Sequence, residues 1–151
     1  MLCRHNYRSP LYIHRMPNKA EDRKAIDADR YIRCCLSKVC KDLAGKYYVH
    51  DGAKCHQSKK TIAYLQRHGV RIVAPWPASS PDMNMVEQLW PLIDKRIAAL
   101  SPTTETELID AIQAAYRAVP QEHINNIALG FYKRLCAVES SGGLGARRRV
   151  R

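Results

Sequence analysis

The chain has 151 residues, 46% of them apolar and 26% charged, the proportions of an ordinary soluble domain with a core of its own. Twenty-five Lys and Arg against 14 Asp and Glu give a formal charge of +11, which favours a polyanionic partner because phosphate contacts release counterions. No apolar run approaches the roughly 20 residues of a spanning helix, and the opening MLCRHNYRSPLYIHRM lacks the apolar core of a signal peptide, so a cytosolic or nuclear protein is expected.

Residues 8–14, Arg-Ser-Pro-Leu-Tyr-Ile-His, read as a short strand after a turn. Asn18 to Asp29 is charged and aperiodic, and reads as a loop. From Ala28 a helix begins, with Tyr31, Cys34, Cys35, Val39 and Leu43 at helical spacing. Gly45 stops it, as Gly does just past a helix C-terminus. Lys46 to His50, aromatic and β-branched, reads as a buried strand ending at Asp51-Gly52. Ser58 then caps a second helix to His68, with Ile62 and Leu65 facing inward and Gly69 as its stop.

Val70 to Ala74 is the next strand, and Pro75, Pro77 and Pro81 make a rigid loop after it. A third helix starts near Asn84, with Val86, Leu89, Ile93 and Ile97 on its inner face and a kink or break expected at Pro91. Thr104 and Glu107 read as the capping box of a fourth helix, about Glu105 to Val119. Pro120 opens a fifth, as its first residue, running to about Val138. Ser140 to Arg151 is Ser/Gly-rich and then Arg-rich, with the composition of a disordered tail. Strands alternating with helices predict a parallel pair with helical crossovers, followed by an all-helical region.

The six cysteines, Cys3, Cys34, Cys35, Cys40, Cys55 and Cys136, form no C-x-x-C pair and no zinc-finger spacing. They read as reduced, small hydrophobic residues.

Two carboxylates stand out. Asp51 lies at the carboxyl end of a strand, where functional groups gather in open α/β sheets, although Asp-Gly is also a common turn dipeptide. Glu87 lies in the first turn of the third helix, where Asn84-x-x-Glu87 also fits a capping box. The path between them, one helix, one strand and a proline-rich loop, is expected to return the start of the third helix beside the end of the first strand. Paired carboxylates there suit Mg²⁺ or Mn²⁺, which bind oxygen ligands and keep positions for water and phosphate. Such a centre suits phosphodiester chemistry.

The stretch YVHDGAKCHQSKKTIAYLQRHGVRIVAPWPASSPDMNMVEQLW resembles the Tc1/mariner group of DDE transposases. That group reads D-N-A-P-x-H, a helix, a strand, then W-P-x-x-S-P-D-L-N-P-I-E-x-x-W. The matching residues are Asp51, Ala53, His56, Ser58, Trp76, Pro77, Ser80, Pro81, Asp82, Asn84, Glu87 and Trp90, and 35 residues separate Asp51 from Glu87. Gly52, Lys54, Met85 and Pro91 depart from the pattern. More loosely, RSPLYIHRM resembles the group's third strand and DADRYIRCCL its first helix.

The resemblance implies an α/β, RNase H-like catalytic core lacking its first strand or strands, followed by C-terminal helices. It divides the chain into a partial core (1–100), a helical region (101–139) and a basic tail (140–151). It implies that Asp51 and Glu87 are the second and third members of a catalytic triad and ligands of Mg²⁺ or Mn²⁺. The first Asp is missing, because Asp22, Asp27 and Asp29 fall in a loop and a helix start. The helix-turn-helix domains that precede such cores are also missing, as in a fragment or a diverged copy.

The implied activity is DNA transposition and integration by phosphodiester hydrolysis and strand transfer. The alternative is a non-catalytic nucleic-acid-binding or interaction protein of the same descent. The expected partners are transposon ends and target DNA, with a second copy of the chain as an option and no membrane. Lys59, Lys60, Lys95 and Arg96 are candidate phosphate contacts, as is the Arg147-Arg148-Arg149 and Arg151 tail, each reading equally as a solvated basic face. The expected location is the nucleus, or the cytosol if the source is prokaryotic.

Overall fold

The computed structural model describes residues 3–13, 26–74, 76–77 and 80–142. The chain divides into two compact units, one of Tyr12–Ala78 and one of Met1–Leu11 with Ser79–Arg151.

The Tyr12–Ala78 unit opens with a helical run beginning where the periodicity places it. Helix α1 (Ala28–Tyr31) is capped by Asp27, whose carboxylate accepts from the Arg30 amide at 2.8 Å. A π-helical turn (Ile32–Leu36) leads into α2 (Ser37–Leu43). Leu36, Val39, Cys40 and Leu43 are buried, and Gly45, at φ +71°, reverses the chain. Strand β3 (Tyr47–Tyr48) follows, then a one-turn helix α3 (Lys54–Gln57), helix α4 (Lys59–Arg67) and strand β4 (Arg71–Ile72).

β3 and β4 pair in parallel, Tyr47 with Arg71 and Tyr48 with Ile72. This is the expected β-α-β arrangement, in shorter strands than the sequence suggests. Tyr47 is 72% exposed, so the strand is not buried along its length: on a two-stranded ribbon one face of each residue pair stays open to water. Ser58 caps α4 as expected, accepting from the Thr61 amide at 3.1 Å. Leu65 is buried and Ile62 only half-buried. Thr61 is completely buried, and is an inward position that apolar periodicity passes over.

In the other unit, β1 (Cys3–Arg4) and β2 (Tyr7–Arg8) form an antiparallel hairpin, turned at Asn6 with φ 57°. The expected strand therefore lies earlier than residues 8–14, and His14 falls outside the described residues. Pro10 has no amide proton to donate to a ladder, which limits pairing beyond Ser9.

The core of this unit joins Leu89, Ile93, Ala115, Tyr116, Val119, Ile124 and Ile127, with Cys3, Leu11, Met85, Trp90 and Ile97 against it. Helix α5 (Met85–Leu100) runs through Pro91 without a break. Proline costs the amide bond to the Glu87 carbonyl, but Leu89 and Ile93, each 1% exposed, flank it and fix the helix by burial. The capping box of α6 (Glu105–Arg117) forms as expected between Thr104 and Glu107.

Pro120 is the N-cap of α7 (Gln121–Leu129), not its first residue, and Gly130 divides the expected fifth helix into α7 and α8 (Phe131–Ser140). A Cβ at Gly130 would meet the Arg134 guanidinium at 2.9 Å and the Asn126 carbonyl at 3.2 Å. Ser140 ends α8 instead of opening a tail, and residues 143–151 lie outside the described ones.

The hairpin is tied to the helices by Arg8. Its guanidinium donates to the carbonyls of Tyr116 (2.9 Å), Val119 (2.7 Å) and Arg117 (3.3 Å) at the end of α6. The Tyr116 hydroxyl returns a bond to the Ser9 carbonyl at 2.6 Å. A cation at a helix C-terminus also complements the macrodipole.

Candidate active site

Asp51 lies three residues past β3, in the segment that turns the chain into α3. Its Oδ1 accepts from the Ala53 amide at 3.0 Å, a local Asx bond, and from His56 Nδ1 at 2.5 Å. Because a carboxylate faces Nδ1, that nitrogen carries the proton. Both bonds converge on Oδ1, and Oδ2 takes part in neither. The Asp51 side chain is 57% exposed. Partial burial raises its carboxyl, but the Ala53 amide, the His56 hydrogen bond and the charges of His56 and His50 outweigh burial. The net shift is downward, toward the ionised form.

A set of rings holds His56. It lies 4.4 Å from the Tyr31 ring and 5.5 Å from that of His50, centroid to centroid. Tyr31, 8% exposed, shares a hydroxyl bond of 3.0 Å with Tyr48 of β3. Burial and its neighbours, Tyr48 first, push the Tyr31 hydroxyl far up, so it stays protonated. The turn carrying His56 is fixed from below by Thr61, whose buried hydroxyl donates to the Cys55 carbonyl at 2.6 Å and meets Ser58 Oγ at 3.0 Å. His50 turns Nδ1 toward the Asp51 carbonyl at 3.0 Å, leaving a buried Nε2 without a partner among the described residues.

This surround was not read from the sequence. The signal was present: histidines one before and five after Asp51, and a tyrosine on each of the flanking helix and strand.

Glu87 belongs to the other unit, at the third position of α5. Asn84 is the N-cap, accepting from the Val86 amide at 3.2 Å. The reciprocal half of a capping box is not made, because the Asn84 amide donates instead to the Pro81 carbonyl at 3.2 Å. Glu107 of α6 offers the contrast. Its carboxylate accepts from the Thr103 amide (2.7 Å), the Thr103 hydroxyl (2.9 Å) and the Thr104 amide (3.2 Å). These bonds hold it below the usual glutamate range, the Thr103 amide contributing most. Glu87, half-buried, is not used in this way. Around it Trp90 packs on the core, and Gln88 donates to the Asp82 carbonyl at 3.3 Å.

Glu87 makes no cap bond and Asp51 keeps Oδ2 outside both of its bonds, so each carboxylate by itself retains the kind of hard oxygen that Mg²⁺ or Mn²⁺ prefers. Among the described residues no three His, Cys, Asp or Glu side chains gather as a metal-holding group. Asp27 caps α1, and Asp29 pairs with Lys60 at 2.7 Å. Both sit at the helix start where the sequence puts them; Asp22 falls outside the described residues.

Of the candidate phosphate contacts, Lys59 and Lys95 are exposed, Lys60 is held by Asp29, and Arg96 donates to the Leu92 carbonyl at 3.4 Å. The six cysteines are free thiols. Burial pushes Cys3 up to about 11 and raises Cys35, Cys40 and Cys55, which keeps them in the unreactive thiol form. No helix among the described residues is long and apolar enough to cross a membrane.

No family model matches the chain. Curated proteins do. The transposase of the Caenorhabditis elegans transposable element Tc1 is 24% identical over 103 residues, which is 68% of this chain and 37% of that protein. The transposase of Tc3, from the same organism, is 27% identical over 112 residues, 72% of this chain and 34% of the relative. The Tcb2 transposase of Caenorhabditis briggsae is 26% identical over 80 residues, 53% and 29% of the two. The chain spans about a third of the length of these relatives.

Proposed function

We propose that this chain, a relative of the Tc1-type transposases, is a transposase-derived DNA-binding protein in which Asp51 and Glu87 are two of the three carboxylates of a DDE centre. The relationship rests on four Tc1- and Tc3-type transposases at 22–27% identity. The observation that carries the assignment is the state of the two carboxylates. Each has a structural role open to it, as a turn residue or a cap. Glu87 leaves the cap bond unmade, and Asp51 leaves Oδ2 outside both of its bonds.

The ancestral reaction is hydrolysis of a phosphodiester at an element end, then attack of the freed 3′-hydroxyl on target DNA. Bound Mg²⁺ or Mn²⁺ would supply activation of the attacking oxygen and neutralise charge on the leaving one. The chain's own residues do the rest. Asp51 and Glu87 would each supply an oxygen ligand to the cation, and His56 and the Ala53 amide hold Asp51 toward its ionised form. The exposed Lys59 and Lys95 would meet phosphates directly, and Lys60 and Arg96 on leaving Asp29 and the Leu92 carbonyl. The frame for this chemistry is an RNase H-like core, in a nuclear protein.

A second reading, a nucleic-acid-binding protein without catalysis, is favoured by one observation. Asp27 and Asp29, already engaged as a cap and an ion pair, do not supply a first carboxylate on a strand. Nicking of supercoiled DNA separates the two. Catalysis predicts Mg²⁺- or Mn²⁺-dependent nicks lost in Asp51→Ala and Glu87→Ala, and nicks surviving both substitutions overturn it. No nicking, with DNA binding that weakens steeply as salt rises, is the outcome of the second reading. Absence of both nicking and binding overturns the DNA-handling function itself.

A further inference from the structure

We propose that His56 is a positioning residue for Asp51: its Nδ1–H ties down Oδ1 and leaves Oδ2 as the oxygen offered to a divalent cation. This rests on the reading of Asp51 as a metal ligand, and adds a residue whose part in that centre is otherwise unassigned.

The geometry is specific. The Nδ1 to Oδ1 distance is 2.5 Å, a close approach of a ring N–H to a carboxylate oxygen, and hydrogen bonds to an ionised acceptor are the strong ones. The Ala53 amide meets the same oxygen at 3.0 Å. Two donors on one oxygen fix the rotation of the carboxylate about its last bond, and so the direction of the other oxygen. His56 is itself held: its side chain is 21% exposed, it lies between Tyr31 and His50, and Tyr31 is anchored through Tyr48 to β3. The Thr61 hydroxyl fastens the preceding residue, Cys55, to α4. A donor locked by packing fixes its acceptor; a free one does not. Outer partners of this kind typically change metal affinity by about 10–100-fold when removed.

The side-chain chemistry supplies the test. Asn can place an amide donor where Nδ1 sits, one bond beyond Cγ, and Gln places it farther out, near the Nε2 position. Leu fills part of the ring's volume with no donor. The probe is Mn²⁺, titrated into the isotope-labelled chain. Paramagnetic broadening of the backbone amide signals of residues 50–56 is the readout, and the signals of α2, recorded before Mn²⁺ is added, show that the unit carrying His56 keeps its fold.

The wild-type chain should lose these signals at a Mn²⁺ concentration that Asp51→Asn raises strongly. His56→Leu should raise it by roughly tenfold, His56→Gln similarly, and His56→Asn by no more than about twofold. Should His56→Leu disturb α2, the Asn against Gln comparison decides alone. A midpoint unchanged in His56→Leu or His56→Gln, with Asp51→Asn still impaired, overturns the positioning role and leaves the metal reading intact. Equal losses in all three His56 variants also overturn it, by assigning the effect to the ring and not to the donor. Broadening unchanged in Asp51→Asn overturns the metal reading and, with it, this proposal.

Discussion

Glu87→Ala should leave the stability of the chain almost unchanged, whereas Asn84→Ala should lower it clearly. Asn84 accepts the Val86 amide at 3.2 Å as the N-cap of α5, and loss of such a cap costs about 1 kcal/mol. Glu87 makes no matching bond. Its removal forfeits only the attraction between a carboxylate and the positive end of the helix, about 0.5 kcal/mol. The higher helix propensity of Ala offsets most of that. With a urea slope of about 2 kcal/mol per molar for a chain of this size, Asn84→Ala should move the midpoint by about 0.5 M. Glu87→Ala should move it by less than about 0.2 M on the same slope. Thr104→Ala, which opens the complete capping box of α6, supplies the reference and should match Asn84→Ala at about 1 kcal/mol. Urea melts followed by helical circular dichroism measure all three. A loss in Glu87→Ala as large as in Asn84→Ala would refute the reasoning, because the carboxylate would then be a cap and no longer a free donor.

Arg8→Ala should destabilise by about 3 kcal/mol, since two short bonds from a charged donor contribute about 1.5 kcal/mol each. Arg8→Lys should lose about half of that, because an ammonium lacks the planar fork that spans three carbonyls; a loss below about 0.5 kcal/mol for Ala in the same melts would remove Arg8 as the tie between hairpin and helices. Ile93→Ala, at a side chain 1% exposed, should cost about 2–5 kcal/mol, and a smaller cost would place the core elsewhere. Asp51 and Glu107 both have lowered carboxyls. Their contributions are fully present above the ordinary carboxylate range and are lost as pH falls through the lowered folded values. Asp51→Asn and Glu107→Gln should therefore each flatten the acid side of the stability profile, and a profile unchanged by either contradicts the pairing described for that residue.

How much of this was legible in the sequence follows from the kind of signal each residue gives. The start of α1 at Ala28, the Ser58 cap, the Thr104–Glu107 box and the parallel β3–β4 pair come from local chemistry and alternation, and the structure has them. The hairpin of β1 and β2 was missed because two-residue strands have no measurable period, and its turn rests on Asn6 instead of Gly. Pro91 was expected to break or kink α5, but backbone preference yields to the burial of Leu89 and Ile93 on either side. Gly130 was passed over as a helix residue, although its lack of a Cβ is what admits Arg134. At the candidate site, Asp51 and Glu87 were found through motif and spacing, which mark residue types. The hydrogen bonds around them depend on Tyr31, Tyr48 and Thr61, which look like ordinary core residues until the fold gathers them.

The most direct measurement is the affinity of the chain for Mn²⁺, followed by electron paramagnetic resonance, in the wild type, Asp51→Asn and Glu87→Gln. Each substitution removes one charged oxygen donor while keeping side-chain size. Both should weaken binding, by at least about tenfold if each carboxylate ligates the ion directly. Binding that matches the wild type in both variants would contradict the assignment of Asp51 and Glu87 as metal-holding carboxylates.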